Sequence, residues 1–196
     1  VEVAVACGLL AGTAIGYING WLVAVMKLPP FIVTLGMWQI VLAANFLYSQ
    51  NETIRSQDIA KNAPLLQLLG AKFNIGGAVF TVGVVFLVVL VAALAYVLRH
   101  TAWGRHVYAV GDDADAAELS GVNVKGTIIS VYAVAGLICA FAGWALIGRI
   151  GSVSPTSGQL LNIESITAVV IGGISLFGGR GSILGTFFGA LIVGVF

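Results

Sequence analysis

The sequence predicts an all-α fold: a polytopic transmembrane helical bundle. Three observations carry that expectation. Hydrophobic residues make up 59% of the chain and charged residues only 9%, whereas a soluble domain carries about 25% charged residues. Charge-free stretches run Val3–Met26, Leu28–Asn51, Phe73–Leu98 and Gly126–Gly148, and about 20 apolar residues suffice to cross a bilayer once. Glycine recurs at intervals of four, a spacing that puts small residues on one helix face and lets two backbones approach closely. A chain this apolar has too little polar surface for water, while in lipid a helix satisfies its backbone internally.

The expected spans are 3–26, 28–48, 75–98, 126–148, 163–178 and 182–196, forming one membrane domain over residues 1–196. The chain opens on Val1 and ends inside an apolar run, so it reads as a fragment of a longer protein, cut at both ends. Its first run lacks a basic leader and carries Glu2, unlike a signal peptide. That run holds Gly8, Gly12, Gly16 and Gly20, and Gly181, just before the last span, is followed within it by Gly185 and Gly189. Both stripes are expected to bury their helices by close packing.

The second span starts at Lys27-Leu28-Pro29-Pro30-Phe31. Proline suits the first helical turn, where no N–H is needed. Thr34, Trp38 and Asn45 follow at offsets of four and seven, on roughly one face. Such a face serves either to line a water-filled path or to hydrogen-bond a neighbouring helix.

Between the third and fourth spans lies a polar connection, 99–125, with four acids and three bases. Asp112 or Asp113 is suited to cap a helix, Asp113, Asp115 and Glu118 favour its positive end, and Gly121 its stop. A helix of about two turns is expected there. With its small Ala114, Ala116 and Ala117 it is either a docking surface or an ordinary loop helix. Further on, Gly172-Gly173 weakens a helix at membrane depth, and freed backbone there is tolerated only against protein or a cavity. Glu164, at the mouth of the fifth span, is either functional or simply solvated.

The bias of Lys and Arg in short loops puts 99–125 in the cytoplasm, together with Lys27 and Arg180. A net charge of +1 implies no field for nucleic acid. Cys7 and Cys139 lie in apolar runs and read as inert. There is no Gly-x-x-x-x-Gly-Lys-Ser/Thr phosphate loop, no metal-ligand spacing around His100 and His106, and no catalytic pair. The expectation is a transport pore and not an enzyme.

Three strings in order carry a family resemblance. They are Gly20-Trp21-Leu22-Val23 with Leu28-Pro29-Pro30-Phe31-Ile32-Val33-Thr34-Leu35-Gly36, then Trp103-Gly104-Arg105-His106-Val107-Tyr108-Ala109-Val110-Gly111, and finally 163–173 with Leu176-Phe177-Gly178-Gly179-Arg180-Gly181-Ser182. The chain resembles the permease subunits of bacterial ABC importers for monosaccharides of the ribose, xylose and fructose type, and overall resemblance favours fructose. The resemblance implies that Asp115-Ala116-Ala117 with Gly121 fits the family's Glu-Ala-Ala-x-x-x-Gly pattern, Asp replacing Glu. It makes Asp112, Asp113, Asp115, Ala116, Ala117, Glu118, Ser120 and Gly121 the segment that couples to an ATPase. It further implies a multi-pass protein of the inner membrane, a second permease subunit, a cytoplasmic ABC ATPase and a periplasmic sugar-binding protein. No cofactor is expected on this chain, since ATP and Mg would be used by the ATPase. Candidates for the substrate path are Asn19, Phe31, Thr34, Trp38, Asn45, Glu164 and Ser175. The alternatives are a branched-chain amino-acid permease of the same architecture and an ATP-independent transporter or channel.

Overall fold

The computed structural model describes residues 2–50, 52–54, 56–75, 78–158, 160–175 and 178–195. Arg55, between the second and third expected spans, and Leu176 and Phe177 of the third string lie outside the described residues. Among the described residues four helices are long and apolar enough to cross a membrane: α1 (Glu2–Met26), α2 (Pro30–Ser49), α4 (Val82–His100) and α7 (Val124–Ile150). Two short helices, α5 (Ala102–Asp112) and α6 (Ala114–Leu119), lie between α4 and α7. The apolar α8 (Leu161–Ile171) and α9 (Ile183–Val195) are shorter.

The chain divides into two compact units, and α4 and α7 contribute to both. The first comprises Val1–Leu87 and Ile128–Ser157. Within it α1 packs closely against α7. A Cβ on Gly12 would lie 2.7 Å from Ala140 Cβ, and one on Gly20 would lie 2.8 Å from Ile129 Cα. Between them Gly16 sits directly against the Tyr132 carbonyl, with Gly136 facing it. The helices therefore meet backbone to backbone, as the stripe predicts for three of its four glycines. Gly8 is the exception: a Cβ added there would meet nothing within 4 Å among the described residues, so the stripe outruns the contact that it serves.

α1 stops where Lys27 takes a left-handed conformation (φ 54°), and α2 starts directly after Pro29, with Pro30 as its first residue. The Pro29 carbonyl accepts the first α2 amides, from Ile32 at 3.1 Å and Val33 at 3.2 Å. After α2 comes α3 (Ser56–Asn62) and a 3-10 helix (Pro64–Gly70). The Trp144 indole N–H donates to Leu65 O (3.2 Å), and Gly70 abuts Gly148, so the connection is fastened onto α7.

The expected span 75–98 needs correction. Residues Lys72–Ile75 (β1) and Ala78–Thr81 (β2) form an antiparallel strand pair, with Phe73 opposite Phe80, and α4 begins only at Val82. A hydropathy window cannot tell an apolar strand from a helix. Here β-branched and aromatic residues flank Gly76-Gly77, a composition that favours paired strands.

The second unit comprises Val88–Thr127 and Gly158–Phe196. Within it α8 and α9 pair through small residues: Gly189 lies against the Ala168 carbonyl and Gly185 against that of Gly172. The expected span 163–178 is cut short, because α8 ends at Ile171 and Gly173 turns left-handed (φ 74°). Gly181 likewise leaves the predicted stripe. It precedes α9, and a Cβ added to it would lie 3.0 Å from Ile174 Cγ2. The helix starts two residues later, behind Ser182, whose hydroxyl accepts the Gly185 amide at 3.0 Å.

Candidate functional site

The polar connection 99–125 holds two helices where one was predicted. Thr101 caps α5 by accepting the Gly104 amide at 3.2 Å, while its own hydroxyl donates to Val97 O at 2.7 Å. Gly104 is buried against the Leu98 carbonyl. Trp103, Val107 and Val110 are half-buried, whereas Arg105, His106, Ala109 and Asp112 are exposed. That arrangement is amphipathic with a helical period.

Asp113 joins the two helices. Its amide closes α5 on Ala109 O (3.1 Å), and its Oδ1 accepts the Asp115 and Ala116 amides, each at 3.0 Å. Of the two candidate caps, the cap is therefore Asp113, and Asp112 is the last residue of α5. α6 closes as a Schellman motif: Val122 N–H donates to Ala117 O (3.0 Å) and Gly121 N–H to Glu118 O (2.9 Å), with Gly121 at φ 83°. The Ser120 hydroxyl adds a bond to Ala116 O at 2.9 Å. Both ends of a helix of six residues are thus satisfied locally. Asp113→Ala should cost α6 about 1 kcal/mol, read as faster amide hydrogen exchange at Ala116.

Ala116 and Ala117, paired in the sequence reading, differ in position. Ala117 is buried, at 5% exposure, and Ala116 is exposed along with Asp115, Glu118 and Ser120. The most exposed apolar side chain of α6 is Leu119, at 92%. Sequence reasoning missed it, although an aliphatic residue ending an otherwise small and acidic helix was a visible signal. It also missed Tyr108, whose hydroxyl donates to Gly181 O at 3.3 Å.

The path candidates fall into both units. On α1, Asn19 Oδ1 is buried and makes no hydrogen bond among the described residues. On α2, Phe31 and Trp38 are exposed, at 66% and 38%. Thr34 donates into its own helix, to Pro30 O (3.0 Å) and Phe31 O (3.1 Å). Asn45 Nδ2 reaches Pro155 O at 3.4 Å, fastening α2 to the loop after α7. In the second unit, Glu164 and Thr167 line a groove of about 490 Å³, otherwise walled by Ile163, Ile171, Ile192 and Val193. Ser175 lies past the end of α8, and its amide donates to Arg180 O at 2.9 Å. Among the described residues no group of three or more His, Cys, Asp or Glu is arranged to hold a metal.

Spanning helices, a helical pair interrupted at glycine and a short capped helix between spans define a polytopic α-helical membrane protein. Its whole length, residues 1–196, matches the family described as branched-chain amino acid transport system / permease component, and the chain belongs to that family. It is 74% identical over 192 residues to the fructose import permease protein FrcC of Rhizobium meliloti, covering 98% of this chain and 53% of that protein. It is 38% identical over 194 residues to the ribose import permease protein RbsC of Escherichia coli strain K12, covering 98% and 59%. It is 31% identical over 182 residues to the galactose/methyl galactoside import permease protein MglC of Haemophilus influenzae, covering 92% and 54%. The chain thus spans somewhat over half the length of these curated relatives. No solved structure matches it.

Proposed function

We propose that this chain is part of the permease subunit of an ATP-driven importer that carries a monosaccharide across the inner membrane, with fructose the first candidate cargo. The observation that carries this reading is the 74% identity to a fructose import permease across 98% of the chain. In this reading ATP hydrolysis with Mg belongs to a separate cytoplasmic ATPase. A periplasmic binding protein delivers the sugar, and a second permease subunit completes the path. α6, closed at both ends and carrying exposed Ala116 and Leu119, supports a docking role for residues 112–121.

Transport then follows alternating access: closure of the ATPases displaces the docked segment, and packed helices move as rigid bodies around the path. The cargo is tested by uptake of labelled fructose, ribose and leucine in cells carrying the full-length permease with its neighbouring transport genes. Saturable fructose uptake that needs the ATPase is the expected result. Uptake of leucine alone would transfer the chain to the amino-acid branch, which the family description names. Sugar flux without the ATPase would make it an ATP-independent transporter.

A further inference from the structure

The proposed docking segment is tied to one particular place in the second unit. At its N-terminal end α5 continues from α4 through Thr101. At its C-terminal end, where α6 follows, it meets the loop between α8 and α9. A Cβ on Gly111 would lie 2.9 Å from the Gly179 nitrogen, and one on Gly179 would lie 2.9 Å from Asp112 Cα. One on Gly178 would lie 2.9 Å from Gly111 O. Three residues earlier on α5, the Tyr108 hydroxyl donates to Gly181 O at 3.3 Å. Gly178 and Gly179 have φ of 96° and 72°, so glycine serves here both the turn and the close approach.

The loop so gripped is closed on itself. Ser175 N–H donates to Arg180 O (2.9 Å), Gly178 N–H to Ser175 O (3.3 Å) and Arg180 N–H to Gly178 O (2.9 Å). Its root is the interruption at Gly172 and Gly173 that ends α8. Contact between main chains leaves no rotamer to absorb a displacement, because packed interiors transmit strain.

We infer that Tyr108 and Gly111 are positioning residues that fasten the α5–α6 segment to the Ser175–Arg180 loop, so that displacement of the docked segment is delivered to the interruption between α8 and α9. This rests on the proposed importer function, and it names the element on which the partner ATPase acts. Side chains at 108 and 111 act through the loop and need touch neither sugar nor nucleotide.

The test uses the full-length permease reconstituted with its ATPase in proteoliposomes. Three quantities are read: ATPase copurified per permease, ATP hydrolysed, and labelled sugar imported. Gly111→Ala forces a methyl group into a main-chain contact and should raise the ATP hydrolysed per sugar by about tenfold. Tyr108→Phe removes one hydroxyl and leaves the ring, so folding is retained; the ratio should rise about threefold. Copurified ATPase should stay at the wild-type level in both. Wild-type ratios in both variants would overturn the inference, and so would loss of the ATPase from either, which would make these residues part of the dock itself. A wild-type permease that imports no monosaccharide speaks instead against the functional reading.

Discussion

Leu119→Asp should abolish copurification of the ATPase and reduce nucleotide-driven sugar uptake to background. Leu119 ends α6 and is 92% exposed, so it contributes little to the fold of this chain. An isobutyl group displayed so fully contributes about 1.5–3 kcal/mol when a partner covers it. A carboxylate in its place loses that term and adds the cost of desolvating a charge, so a weakening on the order of 10²-fold or more follows, typical of a central interface residue. The helix should survive, since its cap and its Schellman closure are made by Asp113, Gly121 and Val122. Ala116→Trp is the matching test by bulk, because Ala116 is exposed. Ala117→Trp is not equivalent: at 5% exposure that side chain has no free room, and the change would disturb α6 directly. Full copurification and full uptake with Leu119→Asp would remove α6 from the dock.

Gly16→Val should destabilise the protein by about 3 kcal/mol or more, at the upper end of overpacking costs. A Cβ at Gly16 would meet the Tyr132 carbonyl and lie 3.0 Å from Gly136 Cα and 3.1 Å from the Tyr132 carbonyl carbon. All three are main-chain atoms, so the valine is accommodated only if α1 and α7 separate. Gly8→Val is the internal control, since among the described residues a Cβ added there meets no other element within 4 Å. Thermal unfolding in detergent should show a large drop for the first variant and little change for the second. Equal shifts would contradict the described packing of α1 on α7.

The contrast between those glycines shows what the sequence could and could not convey. Period four reveals a face, but where two helices diverge is set by their crossing, which no single helix encodes. The helical membrane class was legible in composition, and the start of α2 was legible in Pro29-Pro30. The strand pair within 72–81 was not, because Val, Phe and Ile satisfy a hydropathy window in either conformation. α5 was hidden by a mixed composition that resembled a loop; only its three-to-four-residue alternation of Trp103, Val107 and Val110 marked it. At α6, the proposed docking segment, the sequence supplied the cap, the stop and the acids. It could not say which of two adjacent alanines faces inward, since that depends on how α6 leans on the rest of its unit. Tyr108 was invisible for the same reason, its partner being 73 positions away.

Helix α7 is 27 residues long, and its Lys125 and Arg149 stand roughly 36 Å apart at 1.5 Å per residue. The hydrocarbon layer is only about 30 Å thick. α7 must therefore lean by roughly 30° or reach past both edges with its basic stems. Since Gly12, Gly16 and Gly20 bring the main chain of α1 close against it, α1 must shift whenever α7 changes slope. The two form a single plank, and a thinner or thicker bilayer would tip them together without letting one slide along the other.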